Sequence, residues 1–171
     1  MFNTQDVLNV YQRLSTCGIE VILTGGWGID ALLGRQTRPH EDLDIFIQVK
    51  DATRLRDIMG REGYLLKELW SENRWVKDEQ GNRVATAFVL HDKAGRELDI
   101  HALRLDKNGN GIPAWVSTDI AIFTREALAS EGIIAGFPVR CITPAMQVIC
   151  HTGYVLPEKQ VRDMRLLHEK D

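Results

Sequence analysis

The chain has 171 residues, enough for one domain that buries a sizeable core without disulfides or structural metal. Its hydrophobic fraction of 44% and charged fraction of 26% are typical of a globular protein in water. The net charge of −3 gives no overall basic footprint for a nucleic-acid backbone, which disfavours nucleic acid as a partner, although a local basic patch is compatible with it.

Cysteine usage and the N-terminal residues indicate a reducing compartment. The chain has three cysteines, an odd number, and no two of them have C-x-x-C spacing. This argues against a disulfide framework or a zinc site. Residues 1–6 lack the basic and apolar runs of a signal peptide, and no apolar stretch is long enough to span a bilayer. We therefore expect a cytoplasmic protein that does not enter the membrane.

The first third of the chain alternates helical and strand patterns. In chain order we expect a helix capped by Thr4 up to about residue 17, a strand over 20–24, a helix over 27–33, a strand over 43–47 and a helix capped by Asp51 that ends near residue 63. The glycine pair Gly25-Gly26 ends the first strand, and Gly34 closes the second helix.

The rest of the chain reads as antiparallel strands followed by helices. We expect strands over 64–69, 74–77, 84–90 and 97–103, a polar loop over 106–111, a small β unit over 133–142 that turns at 136–138, a helix that begins at Thr143-Pro144 and a charged helix that begins at Pro157. This order predicts an α/β (α+β) fold with a mixed sheet flanked by helices.

The glycine pair after the first strand has the character of a phosphate-binding turn. Without side chains, Gly25 and Gly26 let the backbone approach a ligand closely. The first N–H groups of the helix that follows have no helical acceptor and form an anion site.

Asp42 and Asp44 are the feature that points to a metal. They lie two apart at the start of a strand, so both carboxylates project from one face. Two such charges repel unless a cation compensates, and oxygen ligands suit Mg²⁺. Asp99 lies in a second apolar strand, where a charge is costly without a partner. If the two strands pair, three carboxylates meet near the glycine turn, and Asp99 could take a proton from an attacking hydroxyl.

Two other interpretations fit parts of this pattern. Residues 26–31 match a G-x-G-x-x-A dinucleotide fingerprint, but the helix is short and the acids begin the next strand instead of following it. A purely structural interpretation makes Asp42 a loop residue and Asp44 a solvent-facing strand residue. The combination with the glycine pair and Asp99 favours the metal site over both.

The motifs resemble a known superfamily. Gly25-Gly26 followed by Asp42-Leu43-Asp44-Ile45 resembles the signature of the polymerase-β-type nucleotidyltransferases. The whole run over 25–45 is similar to that of small antibiotic nucleotidyltransferases, namely the lincosamide enzymes and the aminoglycoside 2″-adenylyltransferases. Residues 98–101 and 147–159 resemble the lincosamide enzymes, whereas 132–141 resembles the aminoglycoside enzymes. The resemblance covers most of the chain and is weakest over 64–94.

The resemblance implies a fold, a site and a reaction. Residues 1–142 would form the nucleotidyltransferase domain, with 143–171 as C-terminal helices packed on it. Asp42, Asp44 and Asp99 would hold two Mg²⁺ ions, with Asp99 as general base, and Gly25 and Gly26 would cradle the triphosphate of ATP or another nucleotide.

The implied reaction transfers a nucleoside monophosphate, AMP in the first instance, to a hydroxyl of a small-molecule antibiotic. Beyond Glu68 and Glu72 there is no acidic cluster for a polycation, which favours a lincosamide-like over an aminoglycoside acceptor. Two alternatives stay open: transfer to a macromolecule such as tRNA or protein, and a non-catalytic nucleotide sensor. A homodimer also stays open, because a symmetric partner could complete an open-sided cleft.

Further residues are candidates on the nucleotide or acceptor side. Arg38 and His40 precede the carboxylates and are predicted to bind the nucleotide, Arg38 through its planar donor fork. Trp27 could stack a base or belong to the core, and Asp30 is expected to support the loop. The candidate acceptor-side residues are His101, Trp70, His151 and Tyr154, with His101 also a candidate to orient Asp99.

Overall fold

The structure, a computed structural model, describes residues 1–169. The helices are α1 Thr4–Thr16, α2 Gly25–Leu33, α3 Ala52–Arg61, α4 Pro144–Cys150 and α5 Glu158–His168. The strands are β1 Ile22–Leu23, β2 Asp42–Gln48, β3 Leu65–Leu69, β4 Trp75–Lys77, β5 Arg83–Ala85, β6 Ala87–His91, β7 Glu97–Leu105, β8 Gly111–Pro113, β9 Ser130–Ile134 and β10 Phe137–Cys141. No helix within residues 1–169 is both long and apolar enough to cross a membrane.

One mixed sheet organises the molecule. Its strand order is β3-β6-β7-β2-β1-β10-β9, with β8 paired to β7, and β4 and β5 form a separate two-stranded ribbon. The pairs β2–β7 and β1–β10 are parallel, and the other pairs are antiparallel. This is the mixed sheet with flanking helices that the order of sequence patterns predicts.

The two faces of the sheet are covered unequally. The larger core joins one face to residues of α1, α2, α3 and α5. A smaller cluster on the other face contains Phe46, Leu103, Phe123 and Met146. In β2 the alternation places Asp42 and Asp44 on the same face as Phe46. The carboxylates therefore lie on the face with less cover, where a substrate can reach them.

Several element bounds differ from the sequence expectation for identifiable reasons. Asn3 caps α1 instead of Thr4, because its side chain accepts from the amide of Asp6 in a reciprocal capping box. Asp51 makes no cap hydrogen bond; it ends a short 3₁₀ turn and binds Arg54. The turn between β9 and β10 lies at residues 135 and 136, so residues 137 and 138 belong to the strand.

The expected strand over 84–90 is two strands. Thr86 interrupts it because its amide binds Asn73 Oδ1 and its hydroxyl donates to the carbonyl of Arg74. β8 was not expected, since its residues follow a polar, glycine-rich loop; it pairs with the end of β7.

Candidate active site

Strand pairing brings the three carboxylates together. β2 and β7 pair in parallel, with Asp44 opposite Asp99. Asp42 lies two residues before Asp44 on the same face, opposite Glu97. The assumed pairing of these two strands is thus confirmed. Asp42 is exposed, whereas Asp44 and Asp99 are half-buried, so the group opens toward solvent at its Asp42 end.

The glycine turn lies directly against these carboxylates. Gly25 is the first residue of α2 and has φ +57°, and a Cβ there would overlap Oδ2 of Asp44. A Cβ at Gly26 would overlap the ring of His40 and come within 3.1 Å of the Arg38 guanidinium. The sequence interpretation explains the two glycines by the close approach of a ligand. In the structure, side chains of the protein itself already occupy the space that a Cβ at either glycine would need.

The protein compensates the charges of this group only in part, through Lys159 near Asp42 and Arg38 near Asp44. Burial, and then the like charges of Asp42 and Asp99, raise the pKa of Asp44 well above its usual range. Burial, and then Asp99, also raise the pKa of Asp42. Within residues 1–169, no side chain donates a hydrogen bond to either carboxylate. Such a pair of oxygen ligands suits a divalent cation.

The donor set fits Mg²⁺ as part of a shared site. Among the described residues, no three His, Cys, Asp or Glu side chains are arranged to hold a metal by themselves. Mg²⁺ commonly takes only one or two carboxylates and completes its shell with water and phosphate oxygens. Asp42 and Asp44 therefore fit an ion that a bound triphosphate also ligates.

Two neighbouring side chains contact Asp99. Trp70 donates its indole N–H to Asp99 Oδ1 at 2.9 Å, and Nδ1 of His101 lies 3.3 Å from the same oxygen. The other ring nitrogen of His101 lies 3.2 Å from Glu72. Burial lowers the pKa of His101, but the contacts with Asp99 and Glu72 outweigh burial and raise it. The expectation that His101 orients Asp99 agrees with this geometry.

His40 is a buried residue that supports the loop. Its side chain is 2% exposed, and Nε2 lies 2.5 Å from Oδ2 of the fully buried Asp30. Asp30 also accepts hydrogen bonds from the amide and hydroxyl of Thr37. The structure does not support the expected phosphate contact of His40, because its ring is enclosed behind the glycine turn and faces Asp30.

Arg38 joins the loop to α5. Its guanidinium makes a bidentate ion pair with Asp163, through Nε at 3.1 Å and a terminal nitrogen at 2.7 Å. Asp163 was missed from sequence, although it lies three and four residues from apolar partners in the pattern of a buried helix face. Arg38 also remains beside Gly26, so it borders the glycine turn on the same side as α5.

The remaining candidates lie at the edge of the cleft or in the core. His151 is fixed by a 2.7 Å contact between Nδ1 and the carbonyl of Gln147. Tyr154 is exposed, and its hydroxyl donates to Gln160. Partial burial of that hydroxyl, and then the negative charges of Cys150 and Asp44, raise its pKa. Burial raises the pKa of Cys150 to about 11, so its thiol is protonated at neutral pH. Trp27 is fully buried, which assigns it to the core and removes it from base stacking.

Comparisons with known proteins agree with this fold. A family model described as aminoglycoside-2″-adenylyltransferase matches residues 6–167. A lincosamide resistance protein of Staphylococcus haemolyticus is 28% identical over 161 residues, which are 94% of this chain and 89% of that protein. A 2″-aminoglycoside nucleotidyltransferase of Klebsiella pneumoniae is 29% identical over 150 residues, 81% of this chain and 68% of that protein.

Two solved structures are similar in fold. The lincosamide antibiotic adenylyltransferase LnuA with lincomycin bound has a TM-score of 0.81 at 22% identity, over 99% of this chain and 98% of that one. ANT(2″)-Ia in complex with adenylyl-2″-tobramycin has a TM-score of 0.71 at 20% identity, over 98% and 88% of the two chains. These likenesses confirm the fold that the sequence predicts.

Proposed function

Since the chain belongs to the aminoglycoside-2″-adenylyltransferase family of antibiotic nucleotidyltransferases, we propose that it transfers AMP from ATP to a hydroxyl of a lincosamide-like antibiotic. The observation that carries this proposal is the register of β2 and β7, which sets Asp44 beside Asp99 with Asp42 two residues away. The glycine turn of α2 lies against the same group and supplies the helix N-terminus for phosphate.

Asp42 and Asp44 would hold Mg²⁺ together with phosphate oxygens of the nucleotide. The ion would neutralise charge on the phosphates as the bond to the leaving group breaks. The protein's own groups bind the triphosphate and orient Asp99. The N–H groups at the start of α2 bind and orient the triphosphate. Trp70 and His101 hold the carboxylate of Asp99 in one orientation.

In this proposal Asp99 accepts the proton of the acceptor hydroxyl. As that proton moves to the carboxylate, the hydroxyl oxygen bonds to the α-phosphorus of ATP. The bond from the α-phosphorus to the bridging oxygen breaks, and pyrophosphate leaves with the electron pair. His101 and Glu72 lie behind Asp99 and stabilise its position through the transfer.

The surroundings of Asp99 support this acceptor class. Trp70 contacts Asp99, and Trp115 packs edge-on against His101 with ring centroids 4.8 Å apart. Glu72 contributes one more carboxylate beside His101. The proposed acceptor surface is therefore aromatic with modest negative charge. Such a surface suits an acceptor with apolar parts and one cationic group better than a polycation. Similarity to a lincosamide resistance protein over 94% of the chain supports the same choice.

We also propose that residues 1–142 form the nucleotidyltransferase domain with the C-terminal helices of 143–171 packed on it, of which residues 170 and 171 lie outside the described part of the chain, and that the protein works in the cytoplasm. The Arg38–Asp163 ion pair, which joins the two segments, supports the first part.

An acceptor screen tests the function. Purified protein is incubated with Mg²⁺, each of the four common ribonucleoside triphosphates, and either lincomycin or tobramycin, while pyrophosphate is measured. We expect release with ATP and lincomycin, and a product heavier than lincomycin by one adenylyl group in a mass spectrum. Pyrophosphate release with tobramycin but not with lincomycin would identify aminoglycosides as the acceptor class. No release above the acceptor-free control in any arm would refute transfer to either antibiotic class.

A further inference from the structure

The exposed face of α5 carries a row of cations. Lys159, Arg162 and Arg165 are three residues apart and lie along one side of the helix. Together with Arg38 they line a groove of about 480 Å³, which Val161 and Glu158 complete. Four cations and one carboxylate thus face one cavity in a chain whose net charge is −3.

Arg38 is paired with the buried Asp163, but the three cations on α5 are only weakly compensated by the protein. Arg162 makes no ion pair with any residue of 1–169. Lys159 lies 3.7 Å from Glu41 and Arg165 lies 3.8 Å from Glu169, and the side chains of both pairs are at least half exposed. Exposed contacts of this length contribute little and are exchanged easily for a better anion.

The groove adjoins the carboxylates and the glycine turn. Arg38 lies between them, since its guanidinium borders Gly26 while it lines the groove. The ion pair of Arg38 with the buried Asp163 fixes α5 in this place. Lys159 lies 3.7 Å from Glu41, the residue next to Asp42, so its charge is close to the carboxylates.

We propose that this groove binds the β- and γ-phosphates of the nucleoside triphosphate, and then the pyrophosphate that leaves, through Lys159, Arg162 and Arg38. This inference rests on the proposed function, which binds the triphosphate at the glycine turn. The groove would take its outer phosphates, since Arg38 borders both the turn and the groove. The guanidinium of Arg162 offers a planar fork to phosphate oxygens and Lys159 offers a point charge.

Binding measurements on a double variant that lacks two of these charges test the inference. Lys159→Met and Arg162→Met are combined, because methionine keeps most of the apolar stem and removes the charge. Lys107→Met is the matched control; Lys107 is exposed in the turn beyond the far end of β7. Calorimetry with Mg²⁺ then compares ATP, AMP and inorganic tripolyphosphate on each protein, and thermal unfolding shows that each is folded.

We expect the double variant to bind ATP and tripolyphosphate about tenfold or more weakly than wild type, since each charged contact to phosphate is strong. AMP should bind as it does to wild type, and Lys107→Met should change none of the three. Unchanged binding of ATP and tripolyphosphate would overturn the inference, and so would an equal loss for AMP. If the double variant does not fold, the exposed Arg162→Met alone is measured, with the same two outcomes.

The test is independent of the acceptor. A protein that binds tripolyphosphate through α5 but modifies no antibiotic would refute the proposed function and leave the groove assigned. A protein that adenylylates lincomycin with an unchanged KM for ATP in the double variant would refute the groove and leave the function.

Discussion

Trp70 donates its indole N–H to Oδ1 of Asp99, and this 2.9 Å hydrogen bond joins the loop after β3 to the strand that carries the third carboxylate. The loop is held independently by Asn73, whose Oδ1 accepts from the amides of Thr86 and Ala87. The loop can therefore keep its place when the indole is removed, and the contribution of the indole to Asp99 can be measured alone.

Trp70→Phe should lower kcat about tenfold or more while the KM for ATP stays within about twofold, because a hydrogen bond to a charged group contributes about 1.5–3 kcal/mol. Steady-state kinetics with ATP and lincomycin measures both constants. Trp75→Phe is the control; Trp75 lies in the β4–β5 ribbon under the guanidinium of Arg83. A kcat equal to that of wild type would show that Asp99 does not depend on Trp70.

Gly25→Ala should remove most activity without unfolding the protein. The new Cβ would overlap Asp44 Oδ2 at a residue whose φ of +57° already disfavours a side chain, so Asp44 must move. Gly60→Ala is the matched control, since Gly60 lies in α3 and a Cβ there would meet no atom within 4 Å, and alanine should add up to about 1 kcal/mol of stability. Pyrophosphate release and circular dichroism are measured on both; full turnover of Gly25→Ala would contradict the close approach.

Asp30→Ala should lower the free energy of unfolding by about 3 kcal/mol or more. Three hydrogen bonds end at this fully buried carboxylate, from the amide and hydroxyl of Thr37 and from the ring of His40, and their donors would be left unsatisfied. Urea unfolding gives the value. Asp57→Ala, on the exposed side of α3, should change it by less than about 0.5 kcal/mol. Equal effects would mean that the buried pair is not a structural support.

Asp92 should make stability depend on pH at the acid end. Burial raises its pKa, but the amides of Arg96 and Ala94 and the Arg96 guanidinium more than offset burial and hold the pKa below its usual value. A lowered folded pKa gives stability that is complete above the unfolded pKa of about 3.9 and is lost as pH falls through the folded pKa.

Replacing Asp92 with Asn should therefore cost more stability at about pH 6 than at about pH 3, measured by urea unfolding at both. Asp57→Asn serves as the exposed control. If Asp92→Asn lowers the unfolding free energy equally at the two pH values, the carboxylate is not the titrating group.

Patterns local in sequence predict the carboxylate strands well. Asp42 and Asp44 share a face because strand residues alternate, and apolar runs on both β2 and β7 predict two buried neighbouring strands. The pairing of β7 beside β2 is an assumption at the level of sequence, and the structure supplies the parallel register that sets Asp44 opposite Asp99. Gly34 ends α2 in a left-handed conformation, as its position indicates.

Features that depend on distant contacts are not readable from local sequence. His40 faces Asp30 because the loop folds back on α2, and Arg38 pairs with a residue 125 positions away. Thr86 breaks a continuous apolar run because two polar groups of a neighbouring loop bind it. The basic face of α5 gains meaning only when the fold brings it beside Arg38.

The central claim is that Asp42 and Asp44 act together with Asp99 in nucleotidyl transfer. The most direct test is pyrophosphate release by Asp42→Asn with ATP, Mg²⁺ and lincomycin, with Asp119→Asn as a control at a side chain that is 93% exposed. We expect Asp42→Asn to lose activity by a factor of at least about 10² while circular dichroism and the unfolding midpoint stay those of a folded protein, because half of the carboxylate pair for Mg²⁺ is gone. Turnover of Asp42→Asn equal to that of wild type would contradict the claim.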